Sequence, residues 1–428
     1  MKVLHIALTD GGGAGMGMMG VHRALLAQGI DSRVLVAQKR SNDERVVEMQ
    51  PNLHLWSTNK VMRKLQRAAC RLGLCFNDYD LWHHRICSVR RRYPAFFTQP
   101  FSQYDVLAHP LVQKADILHL HFIAGLVDYP SFFKNVRQPV VWTVRDENPG
   151  LGGFHFEETK QRFYVPYASL EEAFVKIKRK AIESCHTLHL VSLSNVVKAF
   201  CQRIDYLAAR PNTIIPNTID PVCFQPFQQE EAKQKLGLPA DAIVLSFVSY
   251  DLSEERKGLQ LVIDAIKALN NQRIHLLCVG KPTPSVAATA NLHFLGAVSN
   301  PTFLSTVYSA SDFYINASSQ ETFGKTMVEA LYCGTPVITT PVGIAPEIIK
   351  PHNGCLFQRS TAALTQAINK ALNRSFHSPA AIRHEAIRLF DAERIAQQHI
   401  RLYQSLLTNL WELTMLPVLA KRRNVNRI

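Results

Sequence analysis

Residues 318–343 read SSQETFGKTMVEALYCGTPVITTPVG. In this stretch Glu321 precedes a Phe-Gly pair, and a short apolar segment with Glu329 inside it follows. Gly334 stands where a glycine commonly ends a helix. The apolar run after it is typical of a buried strand. The stretch therefore predicts a loop, a helix and a strand in succession, which is the repeating unit of a parallel α/β sheet.

The same stretch predicts a binding site. The amides of the first helical turn, Gly324 to Thr326, lack intrahelical partners and form an anion site at the end of the preceding strand, Phe313–Asn316. Glu321 and Glu329 flank that site, and carboxylates accept hydrogen bonds from sugar hydroxyls. The arrangement favours a nucleotide sugar as the ligand. The alternative is an ordinary amphipathic helix with two solvated glutamates.

The spacing of these residues resembles a family signature. Glu-x-Phe-Gly, Glu-Ala and Gly-x-Pro-Val are similar to the glutamate-x7-glutamate segment of retaining GT-B glycosyltransferases of family 4, the glycosyl transferases group 1, polysaccharide-biosynthesis subgroup. The resemblance implies an α/β fold with two Rossmann-like parallel-sheet domains facing across a cleft. It also implies a nucleotide-sugar substrate, no cofactor and no metal.

Length and composition agree with two globular domains. The chain has 428 residues, of which 47% are hydrophobic and 19% are charged. A net charge of +14 favours anionic partners, namely nucleotide phosphates, lipid phosphates or an anionic membrane surface. No nucleic-acid recognition motif is present, so nucleic acid is disfavoured as a partner. Nine cysteines without a Cys-x-x-Cys pair are typical of the cytosol. We therefore expect a cytoplasmic protein, with peripheral binding to the inner face of the plasma membrane left open.

The N-terminal segment predicts a strand, a glycine-rich turn and a helix. Gly13 and Gly15 lie in that turn, where backbone amides face a phosphate or an acceptor. The turn also satisfies Gly-x-Gly-x-x-Gly, the dinucleotide fingerprint. The second strand ends in Gln38-Lys39-Arg40 instead of an acid, which disfavours an NAD enzyme and leaves an NADP-dependent oxidoreductase as a minor alternative. The Gly-Gly-Ala turn is similar to the first loop of family 4 enzymes.

Residues 41–112 form a basic insertion. Lys60–Leu72 is drawn as a basic amphipathic helix that either binds lipid phosphate or packs on its own domain. His83, His84 and Arg90–Arg92 are interpreted as a basic loop and not as a metal site. The Asp78-Tyr79-Asp80 match to a metal-binding Asp-x-Asp motif is interpreted as chance.

Four residues of the first domain are candidates for catalysis or for the acceptor side. His121 ends an apolar strand, and ligands sit beyond the carboxyl ends of parallel strands. It resembles the histidine that family members place beside the donor sugar. Asp146 and His155 match the subgroup pattern Thr-x-His-Asp followed by Gly-Gly-Cys-His, but Arg145 stands at the first histidine position. That departure keeps open a non-catalytic GT-B module that binds a sugar or a partner protein.

The second domain adds Lys257-Gly258, which resembles the family's phosphate-binding lysine, and Arg256 is expected to supply a second positive charge. The predicted domains are residues 1–222, residues 223–395, and a helix and basic tail at residues 396–428. The resemblance implies transfer of a hexose-type sugar to a glycan or polyprenyl-diphosphate-linked acceptor in surface polysaccharide biosynthesis. The predicted site residues are His121, Asp146 and Glu321 for catalysis; Gly13, Gly15, Arg256, Lys257, Phe323, Gly324, Lys325 and Glu329 for the donor; and Arg145 and His155 for the acceptor.

Overall fold

The computed structural model describes residues 1–52, 61, 64–65, 68–69, 78–281, 289–298 and 300–425, with side chains described as far as residue 408. The chain divides into two compact units. Unit 1 comprises residues 1–193, 197–215 and 393–428, and unit 2 comprises residues 194–196 and 216–392. Most of the predicted basic helix Lys60–Leu72 and the side chains of the basic tail lie outside the described residues.

Unit 1 is built on a parallel seven-stranded sheet in the order β3-β2-β1-β4-β5-β6-β7. The strands are β1 (Lys2–Thr9), β2 (Asp31–Gln38), β3 (Val46–Glu48), β4 (Ile117–Leu120), β5 (Val140–Val144), β6 (Leu188–Ser192) and β7 (Asn212–Ile214). The helices are α1 (Gly12–Ala27), α2 (Asp78–Arg90), α3 (Pro110–Lys114), α4 (Tyr129–Asn135), α5 (Glu157–Ser184), α6 (Asn195–Gln202) and α7 (Asp205–Ala208).

Unit 2 is built on a parallel six-stranded sheet in the order β10-β9-β8-β11-β12-β13. The strands are β8 (Ile243–Asp251), β9 (Ile274–Lys281), β10 (Leu292–Phe294), β11 (Phe313–Asn316), β12 (Val337–Thr339) and β13 (Gly354–Leu356). The helices are α8 (Gln229–Lys235), α9 (Leu259–Leu269), α10 (Pro301–Ala310), α11 (Lys325–Tyr332), α12 (Ala345–Ile348), α13 (Thr361–Leu372) and α14 (Pro379–Phe390), and α15 (Ala392–Val425) ends the described chain.

Both sheets have the doubly wound order of Rossmann-like domains, with the first strand of each half in the middle. The point where the order reverses lies between β1 and β4 in unit 1 and between β8 and β11 in unit 2. Crossovers leave a crevice at these points, beyond the carboxyl ends of the strands. The predicted α/β class with two parallel-sheet Rossmann-like domains is confirmed.

The sequence-based boundaries differ from the structure in two places. The pattern predicts a helix at Leu170–Cys185, whereas α5 begins at Glu157 and carries Pro166 inside it. The interpretation of His83 and His84 as part of a basic loop is also wrong, because both residues lie within α2. In both places a sequence that looks irregular is held helical by packing, since aromatic residues of α2 and α5 share one core cluster.

Gly15 is required by close packing between α1 and the end of β1. A Cβ at this position would lie 2.5 Å from the backbone carbon of Asp10 and 2.7 Å from the Thr9 carbonyl oxygen. Backbone atoms cannot yield as a flexible side chain does. A Cβ at Gly13, two residues earlier, would meet nothing within 4 Å.

Gly15→Ala is therefore expected to lower the free energy of unfolding by about 1–3 kcal/mol, the usual cost of overpacking. Gly13→Ala is the matched control and should change it by less than about 1 kcal/mol, because alanine favours a helix and meets no atom here. Urea unfolding of both variants measures the difference. Equal stabilities of the two variants would contradict the packing described.

Candidate active site

The site in unit 2 begins at the point where the sheet order reverses. Lys257 lies in a single 3-10 turn (Glu255–Lys257) after β8, and Glu321 lies in the loop after β11. The two strands are neighbours, so the two side chains meet, with Lys257 Nζ 2.5 Å from Glu321 Oε1. Their side chains are 20% and 17% exposed, so the pair is shielded from water without being sealed from it. Two residues 64 positions apart are thus brought together.

Further hydrogen bonds orient Glu321. Ser318 Oγ donates to Glu321 Oε1 at 2.8 Å, while Oε2 has no hydrogen-bond partner in the described part of the chain. Burial by itself would raise the pKa of Glu321, but Lys257, Arg256 and the hydrogen bonds hold that pKa below its ordinary value. Glu321 is therefore a carboxylate at neutral pH, with one oxygen held by protein groups and the other available to accept.

Helix α11 brings a second acid–base pair to the same edge of the sheet. Gly324, at φ 87°, precedes the helix, and the turn after Tyr332 ends at Gly334 as the sequence predicts. Lys325 Nζ contacts Glu329 Oε1, one helical turn away. Tyr308 donates its hydroxyl to the other oxygen, Glu329 Oε2, at 3.1 Å. Glu329 is 3% exposed, so it is held by two partners in a nearly dry environment.

Arg256 and Phe323 lie beside these pairs and have evident structural partners. The Arg256 guanidinium contacts Glu254 at 2.6 Å and donates to the Gln320 carbonyl oxygen at 2.5 Å, which ties the turn after β8 to the loop after β11. Phe323 is buried and packs edge-to-face on Phe390, with ring centroids 5.6 Å apart. Neither geometry tests the predicted donor contacts, which stay predictions.

Arg359 is a residue of this region that the sequence reasoning missed. Its Nε donates to the Ala317 carbonyl oxygen at 3.0 Å, and its Nη2 donates to the Glu255 carbonyl oxygen at 3.1 Å. It therefore braces the segments that carry Glu321 and Lys257. No motif marks it, because it lies on the separate loop between β13 and α13.

In unit 1 a group of buried histidines lies where β1 and β4 are paired. His5 of β1 is in register with His119 of β4, and His121 follows two residues later. His5 Nδ1 and His121 Nε2 are 2.9 Å apart, and Arg145 Nη2 is 3.1 Å from His121 Nδ1. His119 bonds Thr143 and Tyr403, both at 2.7 Å, and is a buried core histidine. His121 and Arg145 also line a cavity of about 10 Å³.

Three of these imidazoles, His5, His119 and His121, have nitrogens within 4.8 Å of one another. The arrangement does not favour a cation. Both nitrogens of His119 and of His121 already have hydrogen-bonding partners, and the Arg145 guanidinium lies against His121. The positive charge of Arg145, whose Nη2 lies 3.1 Å from His121 Nδ1, would repel a divalent ion bound to these imidazoles. The absence of a metal requirement stays a prediction.

The buried histidines give unit 1 a pH-dependent stability. Burial, with repulsion from neighbouring cations, lowers the pKa values of His5, His119 and His121 well below 6.5 and that of His399 to about 3. Unfolded histidines titrate near 6.5, so below that pH the unfolded chain binds more protons than the folded chain. The stability is therefore complete above about pH 6.5 and falls by roughly 1.4 kcal/mol per pH unit for each such group as the pH drops further.

Urea unfolding between pH 7.5 and 5.5 measures this slope. Phenylalanine supplies an aromatic ring that does not titrate. We therefore expect His399→Phe to reduce the slope of stability against pH by the equivalent of about one bound proton. His186→Gln is the control, since His186 is exposed and should leave the slope unchanged. An unchanged slope in His399→Phe would contradict the role given to burial.

Asp146 and His155 form a further buried pair at the end of β5. His155 Nδ1 lies 2.5 Å from Asp146 Oδ2, and His155 Nε2 lies 3.0 Å from Thr98 Oγ1. Phe96 stacks on the His155 ring, with centroids 4.2 Å apart. The structure thus brings together two residues that the sequence named separately. Gly13 lies in the first turn of α1, where helical amides lack intrahelical acceptors, whereas Gly15 lies four residues after the N-cap Gly11, whose carbonyl is the helical acceptor for its amide.

Comparison with known proteins identifies the fold and one domain. A sucrose-phosphate synthase from Thermosynechococcus elongatus superposes with a TM-score of 0.65 at 18% identity, covering 96% of this chain and all of that one. HepE of Anabaena, solved with UDP and glucose, gives a TM-score of 0.63 at 17% identity, covering 95% of this chain and 100% of that one. The chain therefore has the GT-B fold. Residues 242–374 match the model of the family described as Glycosyl transferases group 1.

Curated relatives carry names of the same class. A D-inositol 3-phosphate glycosyltransferase of Stackebrandtia nassauensis is 30% identical over 210 residues, which is 43% of this chain and 47% of that protein. An alpha-monoglucosyldiacylglycerol synthase of Acholeplasma laidlawii is 25% identical over 276 residues, covering 60% of this chain and 66% of that protein. The chain spans less than half the length of the inositol-phosphate enzymes it matches. No helix in the described residues has the length and apolar character needed to span a membrane.

Proposed function

We propose that this protein is a retaining glycosyltransferase. It transfers a hexose-type sugar from a nucleotide-diphosphate sugar to a glycan or a lipid-linked glycan. The observation that carries the proposal is the Lys257–Glu321 pair, held at 2.5 Å where the order of the second sheet reverses. A cation for the diphosphate and an acid for sugar hydroxyls are thereby fixed side by side, in the segment that matches the glycosyl transferases group 1 family.

The proposed chemistry follows from where charge develops. Breaking the anomeric carbon–oxygen bond leaves negative charge on the diphosphate, and fixed donors aimed at that charge lower the barrier. Lys257 and the first-turn amides of α11 are the proposed donors. Lys257 and Lys325 are held in place by Glu321 and Glu329 before a ligand arrives, so the diphosphate does not have to order two flexible side chains.

The two acids have different proposed roles. Glu321 has one oxygen without a protein partner among the described residues and is proposed to accept from the sugar hydroxyls. Each oxygen of Glu329 has one partner in the residues that the structure describes, and a carboxylate oxygen can accept two hydrogen bonds, so Glu329 is proposed to accept from the ribose hydroxyls while it keeps Lys325 and Tyr308. In unit 1, His121 with Arg145 and Asp146 with His155 are proposed to orient the transferred sugar and the acceptor.

The names of two relatives and the net charge support the proposed acceptor. One relative's name contains D-inositol 3-phosphate and another's contains a glucosylated diacylglycerol. The net charge of +14 also favours an anionic acceptor or surface. We propose that the acceptor is a polyprenyl-diphosphate-linked or other lipid-linked glycan of surface polysaccharide biosynthesis, and that the protein binds it at the inner face of the plasma membrane.

Thermal unfolding with UDP-, GDP- and ADP-sugars tests the proposal. One base should raise the melting temperature, and the matching sugar-free diphosphate should also do so, because the diphosphate is the group that is gripped. NADPH serves as the comparison for the oxidoreductase alternative. Stabilisation without any release of the diphosphate in the presence of acceptor lipids would favour the non-catalytic module. No stabilisation by any nucleotide sugar would refute the proposal.

A further inference from the structure

Two oppositely charged residues of α5 are buried beneath the loop that follows Asp146 and carries His155. Glu171 is 1% exposed and Lys178 is 1% exposed, although charged side chains are rarely buried so completely. They are seven positions apart, which places them on one face of the helix. Both charges face the loop at residues 147–156.

Glu171 binds the second half of this loop through backbone amides. Its Oε1 accepts from Gly152 N at 2.9 Å, and its Oε2 accepts from Gly153 N at 2.7 Å and from Phe154 N at 3.4 Å. The approach is so close that a Cβ at Gly152 would lie 2.2 Å from the Glu171 carbonyl oxygen. Glycine is therefore required at this contact, and the carboxylate holds the turn leading into His155.

Lys178 binds the first half of the loop through oxygen atoms. Its ammonium donates to the Asn148 carbonyl oxygen at 2.7 Å, to Asn148 Oδ1 at 2.8 Å and to the Leu151 carbonyl oxygen at 3.1 Å. These bonds use all three protons of the ammonium. Burial lowers the pKa of Lys178 to about 7, an effect that the nearby acids Glu171 and Asp146 oppose.

Asn148 transmits this contact to the acid–imidazole pair. With its oxygen held by Lys178, Asn148 Nδ2 donates to the Phe154 carbonyl oxygen at 2.9 Å. Its backbone N–H donates to Asp146 Oδ1 at 3.1 Å, and Asp146 Oδ2 contacts His155 Nδ1 at 2.5 Å. A continuous chain of hydrogen bonds thus runs from Lys178 through Asn148 and Asp146 to His155.

We propose that Glu171 and Lys178 are positioning residues that clamp the 147–156 loop and thereby fix the orientation of Asp146 and His155. Only one element of the clamp depends on the proposed function: the Asp146–His155 pair is taken to orient the acceptor side of a sugar-transfer site. Neither residue is expected to touch a substrate. Removing either should alter the Asp146–His155 pair while leaving nucleotide binding in unit 2 unchanged.

The test uses the full chain with ¹⁵N-labelled histidine, and the His155 ring signals are assigned by comparison with His155→Gln. In the wild type we expect a single tautomer with the proton on Nδ1, facing Asp146. In Lys178→Met we expect a mixture of tautomers, and in Glu171→Gln we expect faster amide exchange at Gly152 and Gly153. The acceleration should be at least about tenfold, the factor that losing one charged hydrogen bond implies. Lys176→Met and Glu183→Gln, exposed on the same helix, are the controls and should change nothing.

These readings do not depend on activity. A protein that binds no nucleotide sugar would refute the proposed function and leave the clamp standing. Unchanged His155 signals in folded Lys178→Met, or unchanged exchange in folded Glu171→Gln, would overturn the clamp even if transfer is observed. Should Lys178→Met fail to fold, Glu171→Gln still tests the same loop through the exchange of its glycine amides.

Discussion

Lys257→Met is expected to weaken binding of the nucleotide diphosphate by about tenfold to a hundredfold, because a charged hydrogen bond contributes about 1.5–3 kcal/mol. The transfer rate should fall further, since the same ammonium faces charge that grows in the transition state. Titration calorimetry with the diphosphate of the preferred base measures the first effect. Steady-state kinetics measures the second.

A matched control and a double variant separate binding from folding. Lys267→Met removes an exposed lysine at the end of α9 and should leave affinity unchanged. Lys257→Met alone leaves Glu321 buried without its cation, which costs stability. Lys257→Met combined with Glu321→Gln should recover that stability without recovering affinity. Recovery of both would mean that Lys257 only neutralises Glu321, which would contradict the assignment.

Glu329→Gln is the second substitution with a large expected effect. Glutamine keeps the shape and one acceptor, but it loses the charge that pairs with Lys325 and is proposed to bind the ribose. We expect the affinity for nucleoside diphosphate to fall by about tenfold to a hundredfold, because the ribose hydroxyls lose a charged acceptor and such a hydrogen bond contributes about 1.5–3 kcal/mol. Calorimetry with nucleoside diphosphate and with inorganic pyrophosphate locates the loss. Pyrophosphate lacks the ribose, so its affinity should fall only by the part that depends on the placement of Lys325, which is less than the fall for nucleoside diphosphate.

Tyr308→Phe is the informative comparison for Glu329. It removes the hydroxyl bond to Glu329 Oε2 and leaves the carboxylate in place. Its affinity for nucleoside diphosphate is expected to fall much less than that of Glu329→Gln, because the carboxylate that accepts from the ribose remains. Equal affinities of wild type and Glu329→Gln for nucleoside diphosphate would show that Glu329 does not bind the nucleotide. Glu231→Gln, exposed on α8, controls for the general effect of losing one negative charge.

The sequence predicts the part of the site whose residues are contiguous in the chain. The strand Phe313–Asn316 is found as predicted, and the helix after Gly324 ends at Tyr332, with Gly334 directly after the C-cap residue. This follows because the loop, helix and strand are local, and capping and apolar periodicity specify them. Lys257 could also be placed near Glu321 once both were assigned to the ends of parallel strands, since those ends share one edge of the sheet.

The remaining contacts depend on information that a linear pattern does not contain. His5 is a single histidine in an apolar strand, and only the parallel register places it beside His119. Glu171 and Lys178 have helical spacing, but nothing local shows that a loop from the preceding strand lies over them. Pro166 suggests a helix end, yet the helix continues because its aromatic face is packed against α2.

Amide hydrogen exchange of the whole chain with and without UDP, GDP or ADP tests most directly whether unit 2 grips a nucleotide diphosphate. With the preferred nucleotide, exchange should slow in residues 254–259 and 321–330, the segments that contain Lys257, Glu321 and the first turn of α11. Protection confined to residues 10–20 of unit 1, or none with any of the three, would contradict the assignment of the donor site.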